Sequence, residues 1–429
     1  MAPPDRTEPR WLTAGLDHVW LPYAQMKTAA RPLPVVASEG VRLTLADGRV
    51  MVDGIASWWT ACHGYNHPHI AEALRQQLAS LPHVMFGGLA HEQAYKLAAR
   101  LAALLPGDLE RVFFTESGSV SVEVAMKMAV QYWMNRGVQG RTKILSFRGG
   151  YHGDTFATMA VCDPEEGMHA KFAGVLAPQV IGDMPRDGDA LAALRQLVEA
   201  HAHELAAILV EPRVQGAGGM VFHDDQVLRD LRQLADHFGL LLIFDEIFTG
   251  FGRTGDLFAC AAAGVTPDIV TLSKALTGGT LPLAATVARR HVFEAFWGDE
   301  ADKALMHGPT FMGNALACAA ANASLDLFEA EPRLAQVARI AARLEEGLAP
   351  CRALPGVRDV RIMGAIGVVE LETMPEPRAL QAAFLDRGVW IRPFRNVVYL
   401  TPAFVIGDGE LDQLTAAVTS VLGAALRRA

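Results

Sequence analysis

Residues 268–279 read DIVTLSKALTGG, an apolar strand-like run followed by one lysine, Lys274, and then by two glycines. A similar run, LLLIFDE (240–246), ends in the two carboxylates Asp245 and Glu246. Both segments pass from apolar to charged residues at their carboxyl ends. Ligands of open α/β sheets bind beyond the carboxyl ends of the strands, so these two endings are the first places to look for chemistry.

Further strand-like runs precede this pair, namely KILSF (143–147) and AAILVEP (206–212). The segment 224–239 follows, with apolar residues at helical spacing and Gly239 at the position of a C-cap. Strand, helix and strand joined by short links predict a parallel sheet covered by helices, the α/β class.

The bulk composition limits the possible functions. The chain has 429 residues, of which 51% are hydrophobic, and a net charge of -9. This length predicts two domains, and the acidic balance argues against nucleic acid as the main partner. The five cysteines are widely spaced and include no CxxC pair, as expected for reduced thiols and no metal site.

Targeting signals are not evident in the sequence. The N-terminal MAPPDRTEPR lacks the apolar core of a signal peptide, and no continuous apolar stretch has the length of a membrane helix. We therefore expect a cytoplasmic protein without membrane contact.

The ends of the chain differ from its middle. A long helix pattern near 331–349 is followed by strand-like pieces at 357–371 and 389–394, typical of a separate α+β unit. We predict an N-terminal segment of a small domain (1–70), a large cofactor-binding domain (71–330) and the C-terminal part of the small domain (331–429).

Asp245 and Lys274 are 29 residues apart, and a parallel crossover would bring both to one edge of the sheet. Taken alone, Asp245 is as readily explained as a helix cap or a solvated loop residue. Together, an aspartate can hold a protonated ring nitrogen and a lysine amine can attack an aldehyde. Those are the two fixed points of pyridoxal phosphate, so the pair predicts this cofactor.

A phosphate cradle is also predicted. Gly118 and Ser119 precede an amphipathic helix beginning near Val120, and a helix N-terminus offers free N–H groups to an anion. Ser119 equally fits a simple N-cap. Tyr151, in FRGGYHGDT (147–155), could present a flat face to a ring, although such a tyrosine is more often a packing residue; Thr310, in HGPTF, is a further candidate phosphate donor.

Together these segments resemble the class III aminotransferases of fold-type I, which use pyridoxal phosphate. The matching stretches are IFDEIFTGFGRTG (243–255), SKALTGG (273–279), SGSVSVEVAMKMA, FRGGYHGDT and the VEP of 210–212. The resemblance covers about residues 17–405. It implies a large domain with a mostly parallel central sheet flanked by helices, and a smaller α+β domain formed by both termini.

The resemblance implies roles for individual residues. Lys274 would bind the cofactor covalently and move protons, Asp245 would pair with the ring nitrogen, and Tyr151 would stack on the ring and touch substrate. The remaining residues would bind phosphate or substrate: Gly118 and Ser119 for phosphate, with Pro309 and Thr310 reaching it from a neighbouring subunit of a homodimer, and Tyr23, Trp58, Gly308 and Arg392 for substrate. Asp154 and Arg253 are weaker candidates for the same pocket.

A narrower resemblance lies in DHVWLPY (17–23), ASWWTACHGYNHP (56–68), HVMFGGLAHE (83–92), MHGPTFMGNALACA (306–319) and RPFRNVVYLTP (392–402). These segments are similar to the members of the class that pass the amino group of S-adenosylmethionine to 8-amino-7-oxononanoate in biotin synthesis. Core packing remains the interpretation for Trp59. The chain departs from the usual pattern at Phe248, where alanine is usual, at Ala315, and in TPAF (401–404) where MPPY is more usual.

Other functions remain as alternatives. The chain could be a class III aminotransferase acting on an ω-amino acid or ornithine, a racemase or decarboxylase on the same fold, or a non-catalytic binding protein that kept the fold. A nucleotide-binding oxidoreductase is disfavoured, because no GxGxxG follows an early strand and no GxxxxGK[ST] occurs.

Overall fold

The computed structural model describes residues 8–165, 167–172 and 174–427. Most of the N-terminal segment that lacks a signal-peptide core, residues 1–7, lies outside the described residues. The strands are β1 (Val35–Glu39), β2 (Arg42–Leu45), β3 (Val50–Asp53), β4 (Leu109–Thr115), β5 (Lys143–Phe147), β6 (Val180–Gly182), β7 (Leu205–Val210), β8 (Val214–Gln215), β9 (Val221–Phe222), β10 (Leu241–Asp245), β11 (Ile269–Leu272), β12 (Ala284–Arg289), β13 (Val357–Met363), β14 (Ile366–Leu371), β15 (Val389–Trp390) and β16 (Val397–Leu400).

Helices alternate with these strands through the middle of the chain. They are α1 (Arg10–Gly15), α2 (Ala56–Trp59, a single turn), α3 (Pro68–Ser80), α4 (Glu92–Leu104), α5 (Gly118–Asn135), α6 (Phe156–Ala160), α7 (Gly188–His201), α8 (Asp225–Phe238), α9 (Ala259–Ala263), α10 (Arg290–Glu294), α11 (Ala315–Ala330), α12 (Arg333–Leu348), α13 (Pro377–Leu385) and α14 (Asp408–Leu426). Every helix of the described residues is too short or too polar to span a bilayer.

The contacts divide the chain into two units. The larger consists of Trp59–Ala61 and Pro68–Ala338, and the smaller of the described parts of Met1–Trp58, Cys62–His67 and Arg339–Ala429.

The larger unit is built on a seven-stranded sheet of order β4-β12-β11-β10-β7-β5-β6. The strands β11, β10, β7, β5 and β6 pair in parallel, whereas β12 runs antiparallel to both β11 and β4. The predicted α/β class with a mostly parallel sheet is confirmed. The strand predictions at 143–147, 206–212, 240–246 and 268–273 are also confirmed, each within two residues at its ends.

Helix α8 shows how the sequence sets these elements. Asp224 caps its N-terminus by accepting hydrogen bonds from the N–H groups of Gln226 and Val227. Gly239 ends it in the left-handed conformation with φ +59°, as predicted. The face bearing Leu228 and Leu231 is fully buried, so the helix covers the sheet as an amphipathic layer.

The smaller unit contains a mixed four-stranded sheet and an antiparallel three-stranded sheet. One sheet has the order β1-β2-β3-β15 and the other β13-β14-β16. The strand-like piece 357–371 is a hairpin of β13 and β14, with Gly364 at its turn in the left-handed region. In the piece 389–394, only β15 is a strand, and it pairs in parallel with β3. The helix expected near 331–349 is α12.

A close approach of two backbone segments shapes the loop that follows β8. A Cβ atom at Gly218 would lie 1.8 Å from the carbonyl oxygen of Gly149, so only glycine fits there. The loop between β8 and β9 is thereby held against the GG turn that follows β5.

The Gly218→Ala variant should therefore be destabilised by about 3 kcal/mol, because the backbone of one loop must move away to admit the methyl group. Chemical denaturation followed by circular dichroism would measure this change. The matched control is Gly188→Ala, where a Cβ meets nothing within 4 Å at the start of α7; its midpoint should equal that of the wild type. Equal midpoints for both variants would contradict the packing argument.

Candidate active site

A cavity of about 220 Å³ opens at the carboxyl edge of the parallel strands in the larger unit. It collects residues from six separate segments of the chain, several of them at the strand endings predicted from the sequence. Those that line it are Trp59, Gly118, Ser119, Tyr151, His152, Gly153, Glu211, Ala217, Asp245, Ile247, Phe248, Ser273 and Lys274. The cavity thus brings together five residues predicted for the cofactor: Lys274, Asp245, Gly118, Ser119 and Tyr151.

Asp245 is the last residue of β10 and is 4% exposed. Its Oδ2 lies 2.8 Å from Nδ1 of His152, the geometry of a hydrogen bond donated by the ring. Its Oδ1 accepts from the N–H of Ile247 at 3.2 Å and from the hydroxyl of Thr271 at 3.3 Å. Burying a carboxylate is unfavourable unless its oxygens are bonded, and these contacts fix its orientation beside the cavity.

Lys274 follows β11, the parallel neighbour of β10, so the pairing places it near Asp245 as predicted. Its backbone has φ +49° at the start of the short 3-10 helix Lys274–Thr277. Burial lowers the pKa of Lys274, although the charges of Asp245, Glu211 and Asp154 act in the opposite direction. A lowered pKa increases the neutral fraction of the amine, the form that acts as a nucleophile.

The glycines after Lys274 allow the chain to turn. Gly278 caps the 3-10 helix in the left-handed region, and Gly279 has φ +78°. A Cβ at Gly279 would lie 2.8 Å from the backbone nitrogen of Ala61. Larger residues would therefore disturb the segment that begins at Trp59.

The N-terminus of α5 forms one wall of the cavity. The alternative interpretation of Ser119 as an N-cap is wrong, because Ser117 takes that position and its side chain accepts from the N–H of Val120 at 3.3 Å. The first N–H groups of a helix have no intrahelical acceptor, and Gly118 and Ser119, which line the cavity, occupy this first turn. The Ser119 hydroxyl oxygen accepts from the N–H of Asp154 and so joins the helix start to the loop after β5.

Tyr151 is held at both ends. Its backbone N–H donates to Oε2 of Glu211 at 3.0 Å, and its hydroxyl donates to Oδ1 of Asp154 at 2.9 Å. Its ring stacks on that of His169, with centroids 6.1 Å apart. The tyrosine is thus a fixed, half-buried aromatic surface at the cavity wall.

Trp59 lines the cavity, so core packing is not its whole role. The Nζ atom of Lys274 lies 5.2 Å from the centroid of its indole, and the ring of Phe248 packs on it at 4.1 Å. Phe248, one of the departures from the class pattern, is therefore a packing partner of Trp59.

Three residues predicted to bind substrate meet in the smaller unit. Trp58 has the ring of Tyr23 edge-on at 6.4 Å and the guanidinium carbon of Arg392 over its face at 5.0 Å. Trp58 and Tyr23 are both exposed aromatics. Such a group of rings and one cation is suited to a ligand with both apolar and charged parts.

The turn α2 carries both tryptophans. Its residues Ala56, Ser57, Trp58 and Trp59 have φ between +46° and +71°, so the turn winds in the left-handed sense. Each non-glycine residue in this conformation costs roughly 1–2 kcal/mol. Strain of this kind persists only where surrounding contacts enforce it.

The other predicted residues lie elsewhere in the larger unit. Gly308 and Thr310 are exposed in the segment before α11, with Pro309 partly buried between them, and they do not line the cavity. Arg253 is almost fully buried and does not line the cavity, whereas the side chain of Asp154 is half exposed.

The residues present fit pyridoxal phosphate. One cavity is lined by Asp245, a buried carboxylate that can hold a ring nitrogen, by Lys274, whose pKa is lowered, and by the first two residues of α5. The described residues contain no group of three His, Cys, Asp or Glu side chains arranged to hold a metal ion.

Sequence reasoning missed two polar residues of the site, His152 and Glu211. Glu211 is buried, and its two oxygens accept from the N–H groups of Tyr151 and Gly216. Both residues occupy segments that carry the resemblance, GGYHG and VEP. The available signal was that Glu211 directly follows β7 and that His152 lies in the loop after β5.

Comparisons with known proteins agree with this geometry. A family model described as aminotransferase class-III matches residues 23–422. A Mycobacterium leprae protein named adenosylmethionine-8-amino-7-oxononanoate aminotransferase is 48% identical over 415 residues, 95% of each chain. A Corynebacterium glutamicum protein of the same name is 45% identical and covers 94% of this chain and 96% of its own.

Solved structures are similar as well. The crystal structure of adenosylmethionine-8-amino-7-oxononanoate aminotransferase from Methanocaldococcus jannaschii aligns with a TM-score of 0.93 at 32% identity, covering 97% of this chain and 99% of that one. An amine transaminase from an uncultivated Pseudomonas species in a PLP-bound form aligns with a TM-score of 0.88 at 33% identity, covering 95% and 99%.

Glu211 predicts a pH dependence of stability. Burial raises the pKa of Glu211 to about 7, from an ordinary value of 4.5. Between these values the folded protein binds a proton that the unfolded chain does not, so stability is gained as pH falls and lost as pH rises towards 7. In cofactor-free protein, the unfolding free energy of the wild type should fall between pH 5 and 8 by up to about 3 kcal/mol relative to Glu211→Gln.

Urea denaturation at several pH values measures this difference. The control Glu199→Gln changes an exposed residue of α7 and should follow the wild type. If the unfolding free energies of Glu211→Gln and the wild type changed with pH in parallel, Glu211 would not carry the proton assigned to it in the folded protein.

Proposed function

The chain belongs to the class III aminotransferases, and from this membership we propose that it transfers the amino group of S-adenosylmethionine to 8-amino-7-oxononanoate, giving 7,8-diaminononanoate for biotin biosynthesis. Relatives that bear the name of this activity are 40–48% identical over nearly the whole chain. The observation that carries the proposal is the convergence of Asp245 and Lys274, at the ends of two parallel strands, on one cavity.

The family depends on pyridoxal phosphate, which supplies a ring that withdraws electrons from the carbon bearing the amino group. In our proposal Asp245 holds the proton of the ring nitrogen, since its carboxylate is buried and oriented by His152. The N–H groups of Gly118 and Ser119 hold the phosphate, and Tyr151 covers one face of the ring.

Lys274 has two roles in this proposal. Its amine would hold the cofactor in the resting enzyme, and the free amine would accept the proton from the substrate carbon that bears the amino group. The lowered pKa supports both roles, because each needs the neutral amine at moderate pH. The second half-reaction uses the same groups in reverse, so ping-pong kinetics are expected.

Substrate binding is assigned to Tyr23, Trp58, Gly308 and Arg392. The aromatic faces of Tyr23 and Trp58 suit both a sulfonium cation and a methylene chain, and the guanidinium of Arg392 can pair with a carboxylate. Asp154, which accepts from the Tyr151 hydroxyl, and the buried Arg253 are weaker candidates for the same pocket.

We also propose a homodimer in the cytoplasm. In this arrangement Pro309 and Thr310 of one subunit reach the phosphate site of its partner. Their placement outside the cavity of their own chain is consistent with that arrangement.

The decisive assay is conversion of 8-amino-7-oxononanoate by the purified protein with S-adenosylmethionine as donor, run beside lysine, 4-aminobutyrate and ornithine. Product with S-adenosylmethionine supports the proposal. Turnover of 4-aminobutyrate or ornithine without turnover of S-adenosylmethionine would replace it with an ω-amino acid or ornithine aminotransferase.

Lys274→Ala should lower kcat by about a thousandfold or more, because it removes both the covalent attachment and the proton acceptor. The visible absorption band of lysine-bound pyridoxal phosphate should vanish in the same variant. The control Lys96→Ala changes an exposed lysine of α4 and should retain both the band and the activity. A Lys274→Ala protein with an unchanged spectrum would contradict the assignment of this lysine.

A further inference from the structure

We propose that Asp53 is a positioning residue for substrate binding, whose buried carboxylate holds the left-handed turn α2 that presents Trp58 and Trp59. The inference deepens the proposed function and rests on it, since it concerns how the same substrates are bound. It assigns a role to a residue that the sequence motifs did not single out.

The carboxylate of Asp53 organises the turn through its two oxygens. Asp53 ends β3 and is 2% exposed. Its Oδ1 accepts from the N–H of Ile55 at 2.8 Å, and its Oδ2 accepts from the N–H of Ser57 at 3.0 Å. These bonds begin immediately before and inside the left-handed segment, where the backbone most needs an enforced conformation.

Tyr65 and Ser57 close this network. The Tyr65 hydroxyl donates to Oδ2 of Asp53 at 2.5 Å and also lies 2.5 Å from the Ser57 hydroxyl. Oδ2 of Asp53 thus accepts two hydrogen bonds, and a buried network whose polar groups are all bonded holds the backbone in one conformation.

Thr401, which directly follows β16, bonds the carbonyl groups of the two residues that precede the turn α2. The N–H of Thr401 donates to the carbonyl of Gly54 at 2.8 Å, and its hydroxyl donates to that of Ile55 at 3.4 Å. A Cβ at Gly54 would lie 3.0 Å from the side chain of Leu400, so the backbone enters the turn under tight packing. Thr401 belongs to the TPAF departure from the class pattern.

The turn determines where both indoles lie. Trp58 contacts Tyr23 and Arg392, and Trp59 lines the cavity beside Lys274. A turn that relaxed to ordinary φ values would redirect two consecutive side chains. Loss of Asp53 should therefore weaken substrate binding while leaving the groups that bind phosphate and ring nitrogen in place.

The test compares Asp53→Asn with the wild-type holoenzyme. Asparagine keeps one acceptor oxygen but replaces the other by an NH₂ group, which cannot accept from Ser57 or Tyr65. We expect KM for at least one substrate to rise about tenfold, while the dissociation constant for pyridoxal phosphate, read from the visible band, stays within twofold. The control Asp47→Asn, in the exposed turn after β2, should leave KM unchanged.

A rescue experiment separates positioning from a general loss of structure. Glycine adopts positive φ without strain, so Asp53→Asn combined with Ser57→Gly should recover at least half of the logarithmic increase in KM. The matched double variant carrying Ser57→Ala loses the same hydroxyl but keeps the strain, and should not recover. Equal recovery with alanine and glycine overturns the proposal.

Other outcomes are equally informative. Unchanged KM in Asp53→Asn, or a parallel loss of pyridoxal phosphate affinity, overturns the inference. If Asp53→Asn does not fold, Tyr65→Phe removes only the hydroxyl and should raise KM about threefold; wild-type KM in that variant also overturns it. If the wild type uses a different amino donor, the proposed donor is refuted, and the effect of Asp53→Asn is then measured on KM for that donor. If the wild type is inactive with every donor, the proposed function and the role of Asp53 are both overturned.

Discussion

A carboxylate buried at the end of β10 is the constraint on which the larger unit depends. Within the described residues, Asp245 pairs at close range with His152. The same aspartate lines the cavity at the carboxyl edge of the sheet. A charge in that position is unfavourable without fixed donors, and Thr271 from the next parallel strand supplies one of them. The pairing of β10 with β11 that satisfies Asp245 also sets Lys274 directly beyond it.

The neighbouring loops are shaped by this arrangement. Gly153 has φ +131°, and a Cβ there would lie 2.3 Å from the Ser119 hydroxyl, so the loop bearing Tyr151 and His152 closes on the start of α5. Close backbone packing of this kind brings the start of α5, the ring of Tyr151 and the carboxylate of Asp245 to one cavity. The site is therefore made mainly by how closely the backbone segments pack.

The sequence was sufficient for elements with strong patterns, and less so for contacts between distant segments. Strand-like runs of five to seven residues predicted four of the five parallel strands, whereas the short β6 was not predicted. Gly239 predicted the C-terminal end of α8, since caps act locally. Ser117 and Ser119 could not be separated, because both offer a hydroxyl near the same helix start. The partnership of His152 with Asp245 joins residues 93 positions apart and has no local signature.

The turn α2 marks a different limit. Alanine, serine and tryptophan rarely adopt positive φ, so nothing in ASWW announces a left-handed turn, and Trp59 seemed a packing residue. Its conformation follows from Asp53, Tyr65 and Thr401, of which the last two lie beyond the turn in sequence. Hydrogen bonds of this kind have to offset a strain of roughly 1–2 kcal/mol per residue. Backbone strain that is retained in this way is typical of functional sites, where it sets the direction of side chains.

Under the proposed function, reaction type and substrate choice are carried by different parts of the sequence. The groups assigned to the cofactor lie on the sheet and first helix turn of the larger unit, where burial and backbone packing leave little freedom. Trp58, which is assigned to substrate, lies on a strained turn whose entry is bonded by Thr401, and the adjacent Trp59 packs on Phe248. Phe248 and Thr401 both depart from the class pattern. A Cβ at Gly216 would lie 2.8 Å from the ring of Phe248, so even this departure is matched by a glycine opposite it. Change in substrate preference can thus proceed through the support of Trp58 and Trp59 while Asp245 and Lys274 stay fixed.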